Sequence, residues 1–97
     1  MATYITLATF SDQGLRNVKD TVTRAEDFKK AAQQTGVTVR EILWTQGHYD
    51  LVVILDAPNE ASYSALMLSV ARMGNVRLQS LRAFTAAEME GILDKVI

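Results

Sequence analysis

The order of apolar runs and turn signals predicts an α+β fold, a βαββαβ antiparallel sheet with its helices on one face and an extra helix at the C-terminus. Three observations carry it. Two β-rich runs, Leu43-Trp44 and Leu51 to Leu55, flank Gly47 and a polar cluster, which reads as a hairpin. Two helical stripes alternate with the strand-like runs. The 97 residues, 48% hydrophobic and 22% charged, have the balance of one globular domain over 1–97.

The first strand is Thr3 to Phe10, where Tyr4, Ile5, Leu7 and Phe10 stand among threonines. Ser11 and Asp12 offer a helix N-cap, and Leu15, Val18, Val22, Ala25, Phe28 and Ala32 recur at helical spacing until Gly36 supplies a C-cap. Asp20 with Arg24 and Glu26 with Lys30 are i,i+4 pairs on the charged face of this helix, each worth about 0.2 to 0.5 kcal/mol, and read as surface support. Val37 to Gln46 and Tyr49 to Asp56 are the hairpin strands. Ala57-Pro58-Asn59 breaks the pattern and starts a second helix through Glu60, the proline suiting a first turn. Tyr63, Leu66, Met67, Val70 and Met73 form its apolar stripe, with the methionines as core filler, and Gly74 ends it before the last strand, Val76 to Phe84. Thr85-Ala86-Ala87-Glu88 has capping-box spacing, and Met89, Ile92, Leu93 and Val96 follow with helical period.

Several function classes are excluded by composition. The formal net charge is -1, with Lys and Arg scattered among Asp and Glu, so no basic field draws in a nucleic acid. Cysteine is absent, which removes disulfides, thiolate metal sites and cysteine nucleophiles. The N-terminus carries no basic stretch followed by a long apolar core; neither signal peptide nor membrane span is expected, and the expected location is cytoplasmic. One histidine, no His-x-x-x-His and no Gly-x-Gly-x-x-Gly or Walker-type loop leave no metal and no cofactor to expect. No serine sits in a Gly-x-Ser-x-Gly elbow, which argues against serine hydrolase chemistry.

The βαββαβ order is that of a ferredoxin-like domain, whose sheet is covered on one face only. Such strands alternate between apolar and polar, yet here Leu51, Val53 and Leu55 alternate with Val52 and Ile54. Tyr4, Ala8 and Phe10 likewise stand against Ile5 and Leu7, and Val39 and Leu43 against Ile42 and Trp44. Something must cover the second face, and the simplest cover is the same sheet of another copy, in a homodimer or higher homo-oligomer.

Tyr4-Ile5-Thr6-Leu7 with Thr9-Phe10, Trp44-Thr45-Gln46-Gly47-His48-Tyr49-Asp50, and Gly74-Asn75-Val76-Arg77 leading to Leu81-Arg82-Ala83-Phe84-Thr85 are the segments by which the chain resembles the GYD domain family over nearly its whole length. The signature reads Gly-x-Tyr-Asp here, with His48 at the x. The resemblance implies a ferredoxin-like fold of the dimeric α/β-barrel kind and a family whose biochemical role is largely unassigned. Thr45-x-Gly47-x-Tyr49-Asp50 and Gly74-x-Val76 also resemble the effector-binding domain of leucine-responsive regulators, which implies oligomers with small-molecule sites at subunit interfaces. The helix-turn-helix of those regulators is absent, so the regulator role does not carry over.

The candidate chemistry clusters near the hairpin. His48 is the one imidazole of the chain, the side chain most often used as a general base, and Asp50 could orient it; alternatively His48 is an exposed turn residue and Asp50 accepts backbone hydrogen bonds that fix the hairpin. Tyr49 offers a hydroxyl to a pocket or a ring to an interface. Trp44 could stack on a planar ligand, with Arg40 on the same face, absent a bulge, holding a carboxylate; both could equally be interface residues. Arg77 and Arg82 have opposite parity on the last strand, so one can face inward, where Asp50 is an available mate. Three functions compete. The first is a homo-oligomeric small-molecule binding or sensing module with its pocket between sheet and helices or at the dimer seam. The second is a cofactor-independent monooxygenase or isomerase type of enzyme using His48, Tyr49, Asp50 or Trp44, which rests on fold analogy. The third is a structural or assembly protein without a ligand.

Overall fold

The computed structural model describes residues 1–97. Its elements run β1 (Ala2–Phe10), α1 (Asp12–Arg16), a single 3-10 turn, α2 (Thr21–Gln34), β2 (Thr38–Trp44), β3 (Leu51–Ala57), α3 (Glu60–Ala71), β4 (Val76–Ala83) and α4 (Ala86–Leu93). The strands form one antiparallel sheet in the order β2-β3-β1-β4, the ferredoxin-like arrangement expected from the chain order. No helix is long and apolar enough to cross a membrane.

Period-two alternation sorts the strands as anticipated. Tyr4, Thr6 and Ala8 of β1 and Val53, Leu55 and Ala57 of β3 are buried under the helices, where they meet Ala32, Tyr63 and Leu66. Tyr4 and Tyr63 stack at 3.8 Å between ring centroids. The buried Tyr63 hydroxyl is shared between Thr6 Oγ1 and the exposed Ser80 Oγ, each at 2.6 Å, which satisfies the two buried hydroxyls of Thr6 and Tyr63.

The opposite face has no helix over it. Register places Leu43, Val52, Leu7 and Gln79 in one row across the strands and Glu41, Ile54, Ile5 and Leu81 in the next. Six of those eight residues are apolar. The chain exposes 6627 Å², against about 5,500 Å² for a compact monomer of this mass. Its radius of gyration is 14.6 Å, against about 12.5 Å by chain-length scaling.

Several local expectations are corrected. The predicted helix from Ser11 to Gly36 is broken at Asn17, because Ser11, Gln13 and Gly14 dock α1 on the Gly74-Asn75 turn. Ser11 N–H donates to Asn75 O at 3.0 Å, and a Cβ on Gly14 would stand 2.0 Å from the same oxygen, so only glycine permits the approach. Around the break Leu15, Val18 and Val22 are exposed, while farther along α2 Ala25, Phe28 and Ala32 turn inward. The proposed i,i+4 pairs do not form: Arg24 donates to Asn17 O, and Glu26 pairs with Lys29 at 3.5 Å.

In β2 the register shifts between Val39 and Glu41. The bulge at Arg40 changes parity, so Val39, Ile42 and Trp44 share the helix face and Leu43 faces away. Pro58 lies ahead of the second helix, whose cap is Asn59 accepting from Ser62 N–H at 2.7 Å. The capping box at Thr85 and Glu88 forms as read, with both reciprocal hydrogen bonds present.

Candidate functional site

Small side chains on three elements leave the space from which the site is built. Ala8 on β1 and Ala25 and Ala31 on α2 line a cavity of about 330 Å³ between α2, α3 and the sheet. Larger residues at those positions would fill it, as Leu55 and Leu66 fill the region under α3. The remaining wall is largely hydrocarbon from Phe28, Ile42, Val53, Met67, Val70 and Leu78.

Its polar groups are few. Thr21 Oγ1 accepts from Trp44 Nε1 at 3.0 Å, Ser69 Oγ donates to Ala65 O at 2.8 Å, and Asn75 Oδ1 accepts from Gln13 Nε2 at 2.9 Å. Arg24, also in the wall, donates from Nη1 to Asn17 O at 2.9 Å. Its Nη2 is buried and has no hydrogen-bond partner. Asp27 is the carboxylate of this wall and lies exposed to solvent.

None of the seven residues singled out from sequence lines this cavity. Asp50 is bonded to backbone on both sides: its Oδ2 accepts from Phe10 N–H at 2.8 Å, its N–H donates to Ala8 O at 2.8 Å, and its carbonyl accepts from Thr45 N–H at 2.8 Å. The hairpin loop is thereby tied to the end of β1, while Gly47 turns at φ 109°. No arginine pairs with Asp50; the ion pairs of the chain are Lys29 with Glu26 and Arg40 with Asp56 at 3.6 Å.

His48 is exposed, with its ring 6.4 Å from that of Tyr49, and no hydrogen bond joins it to Asp50. Tyr49 donates to Gln79 Oε1 at 2.7 Å, a residue of the open face. The bulge separates Arg40 from Trp44, whose indole instead donates to Thr21 Oγ1 at the start of α2. Arg77, opposite Thr9, belongs to the open face, and Arg82 to the helix side at the far end of the sheet. There the Arg82 guanidinium donates to the Thr3 and Ala83 carbonyls and lies 4.5 Å from the Phe84 ring centroid. It borders a shallower cleft with Tyr4, Tyr63 and Ser80.

Sequence reasoning therefore missed Thr6, Arg24 and Phe28. Thr6 left a legible signal, a polar residue at the buried parity of β1; Arg24 left none, since its spacing from Asp20 suggested an ordinary surface pair.

A family model described as the GYD domain matches residues 4–93. The chain is 28% identical over 90 residues to a protein of Thermus thermophilus named "Glutamine synthetase and cystathionine beta-lyase binding protein", covering 92% of this chain and 95% of that one. No solved structure gives a significant match. The chain belongs to the GYD domain family.

Proposed function

We propose that this GYD domain is a small binding module that works as a homo-oligomer in the cytoplasm and takes a small molecule into the cavity between α2, α3 and the sheet. The cavity itself carries the reading, because a half-open hollow walled by hydrocarbon leaves that wall short of packing partners, which the apolar part of a ligand would supply. Its volume lies at the lower end of the range of about 300 to 1,000 Å³ for small-molecule sites. The oligomer is supported by the open face, where Ile5, Leu7, Leu43, Val52, Ile54 and Leu81 form one apolar field. Tyr49 and Arg77 would then stand at the seam between copies.

A second reading replaces the small molecule with another protein. The Thermus relative is named for binding two enzymes. In this chain α4 presents Met89, Ile92 and Leu93 to solvent, an apolar stripe of the kind that docks on a partner. An enzymatic role would draw on His48, and no hydrogen bond orients that side chain in the way a general base requires.

Native mass spectrometry of the purified protein tests both parts. Masses in even multiples, with an added mass lost on denaturation, are the expected result. Ile54→Glu should yield monomers that retain the native circular dichroism spectrum. A wild-type monomer at every concentration would overturn the reading of the open face.

A further inference from the structure

We infer that the occupant of the hollow between α2, α3 and the sheet is an uncharged, hydrocarbon-rich molecule of about a dozen non-hydrogen atoms, an inference that rests on the binding function proposed above. Phe28, Ile42, Leu51, Met67, Val70 and Leu78 line the hollow and remain half-buried, whereas Leu55 and Leu66 in the adjoining core are out of contact with water. The half-buried side chains lack partner atoms towards the hollow, so hydrocarbon placed there gains contacts and sheds water at once. The hollow measures about 330 Å³. An apolar cavity of about 150 Å³ takes one benzene ring, so this one suits a body of two fused rings.

The wall offers a charged group no counterpart. Its hydroxyls are already engaged, Thr6 with Tyr63, Thr21 with Trp44 and Ser69 with the Ala65 carbonyl. Its two formal charges, Arg24 and Asp27, are opposite in sign and stand one turn apart on α2, so neither an anion nor a cation meets a net attraction. An ion must then bury its charge among hydrocarbon, or hold part of its body outside the hollow to keep that charge in water; either way affinity is lost. An uncharged molecule meets neither cost.

2-Naphthylmethanol, 2-naphthoate and 2-naphthylmethylamine share one ring system and carry a neutral, a negative and a positive head at neutral pH. They are titrated into protein with carbon-labelled methyl groups and followed by NMR. The alcohol should bind at least about tenfold more tightly than either ion, a difference of about 1.4 kcal/mol. It should shift the methyl resonances of Met67, Val70 and Leu78, which line the hollow, and leave those of Ile54 and Leu81 on the open face in place. Ala25→Leu and Ala31→Leu each put a larger side chain into the hollow and should weaken the alcohol at least about tenfold while the circular dichroism spectrum is kept. An ion that binds as tightly as the alcohol, at the same methyl groups, would overturn the uncharged class while leaving the hollow a binding site. An alcohol that keeps its affinity in both variants, or shifts the open-face methyls instead, would overturn the inference and the cavity reading together, as would binding of none of the three probes.

Discussion

The two faces of the sheet are made from alternate residues of the same strands, yet they end in different surroundings. On the covered face Leu55 is fully out of contact with water, locked against Ala32, Val37, Tyr63 and Leu66. On the open face its neighbour Ile54 stands in a row with Ile5 and Leu81 and keeps part of its surface wet. Hydrophobicity does not distinguish them; what lies above them does. Full burial of such a side chain contributes about 1.5 to 3 kcal/mol, so the open face retains a gain that only another surface can realise. The surplus of exposed area over a compact monomer has the same origin, together with α4, which extends from the body with its apolar stripe uncovered.

The comparison breaks most sharply on the pair Leu55→Ala and Ile54→Ala. Leu55→Ala should cost about 2 to 5 kcal/mol in urea unfolding, whatever the protein concentration. Ile54→Ala should lower stability by an amount that grows with protein concentration in the range where the wild type associates. Equal and concentration-independent losses would mean that the faces do not differ in the way described.

A smaller effect is expected where the two faces meet. Asp50→Asn weakens the charge-assisted bond to Phe10 N–H and should cost about 1 to 3 kcal/mol. Hydrogen exchange is the useful measurement: the Phe10 amide should exchange faster while amides at the middle of β1 keep their protection. Uniform acceleration would show that Asp50 supports the whole sheet rather than its end.

The smallest effects belong to α4. Thr85→Ala should cost this helix about 1 kcal/mol, read as a lower helical signal with the main unfolding transition in place. Its backbone N–H, donating to Glu88, holds the Glu88 carboxyl below the usual carboxylate range. A depressed native pKa stabilises above the unfolded value and is lost as pH falls through the folded one, so acidification below the ordinary glutamate range should fray α4. Glu88→Gln should remove that pH dependence.

Much of the local structure was legible because it depends on near neighbours. Ser11, Thr85 and Glu88 cap as read, since a cap needs only the next three residues. Alternation in β1 and β3 and the apolar second face followed from period two alone. Where an outcome depended on a distant segment, local spacing misled: one inserted residue at Arg40 reversed the faces of β2, and docking on the Gly74-Asn75 turn made α1 a helix separate from α2.

The candidate site lies at the far limit of this rule. The sequence by itself determined the element order, the caps, the α+β class and the presence of two apolar faces, all consequences of short-range periodicity. Only the tertiary structure decided that Ala8, Ala25 and Ala31 come together and leave a void. It also decided that Arg24, an ordinary surface position by spacing, joins the wall of that space and buries one terminal nitrogen without a hydrogen-bond partner. Cavities and unmet donors are properties of what surrounds a residue, and those surroundings come from segments far apart in the chain.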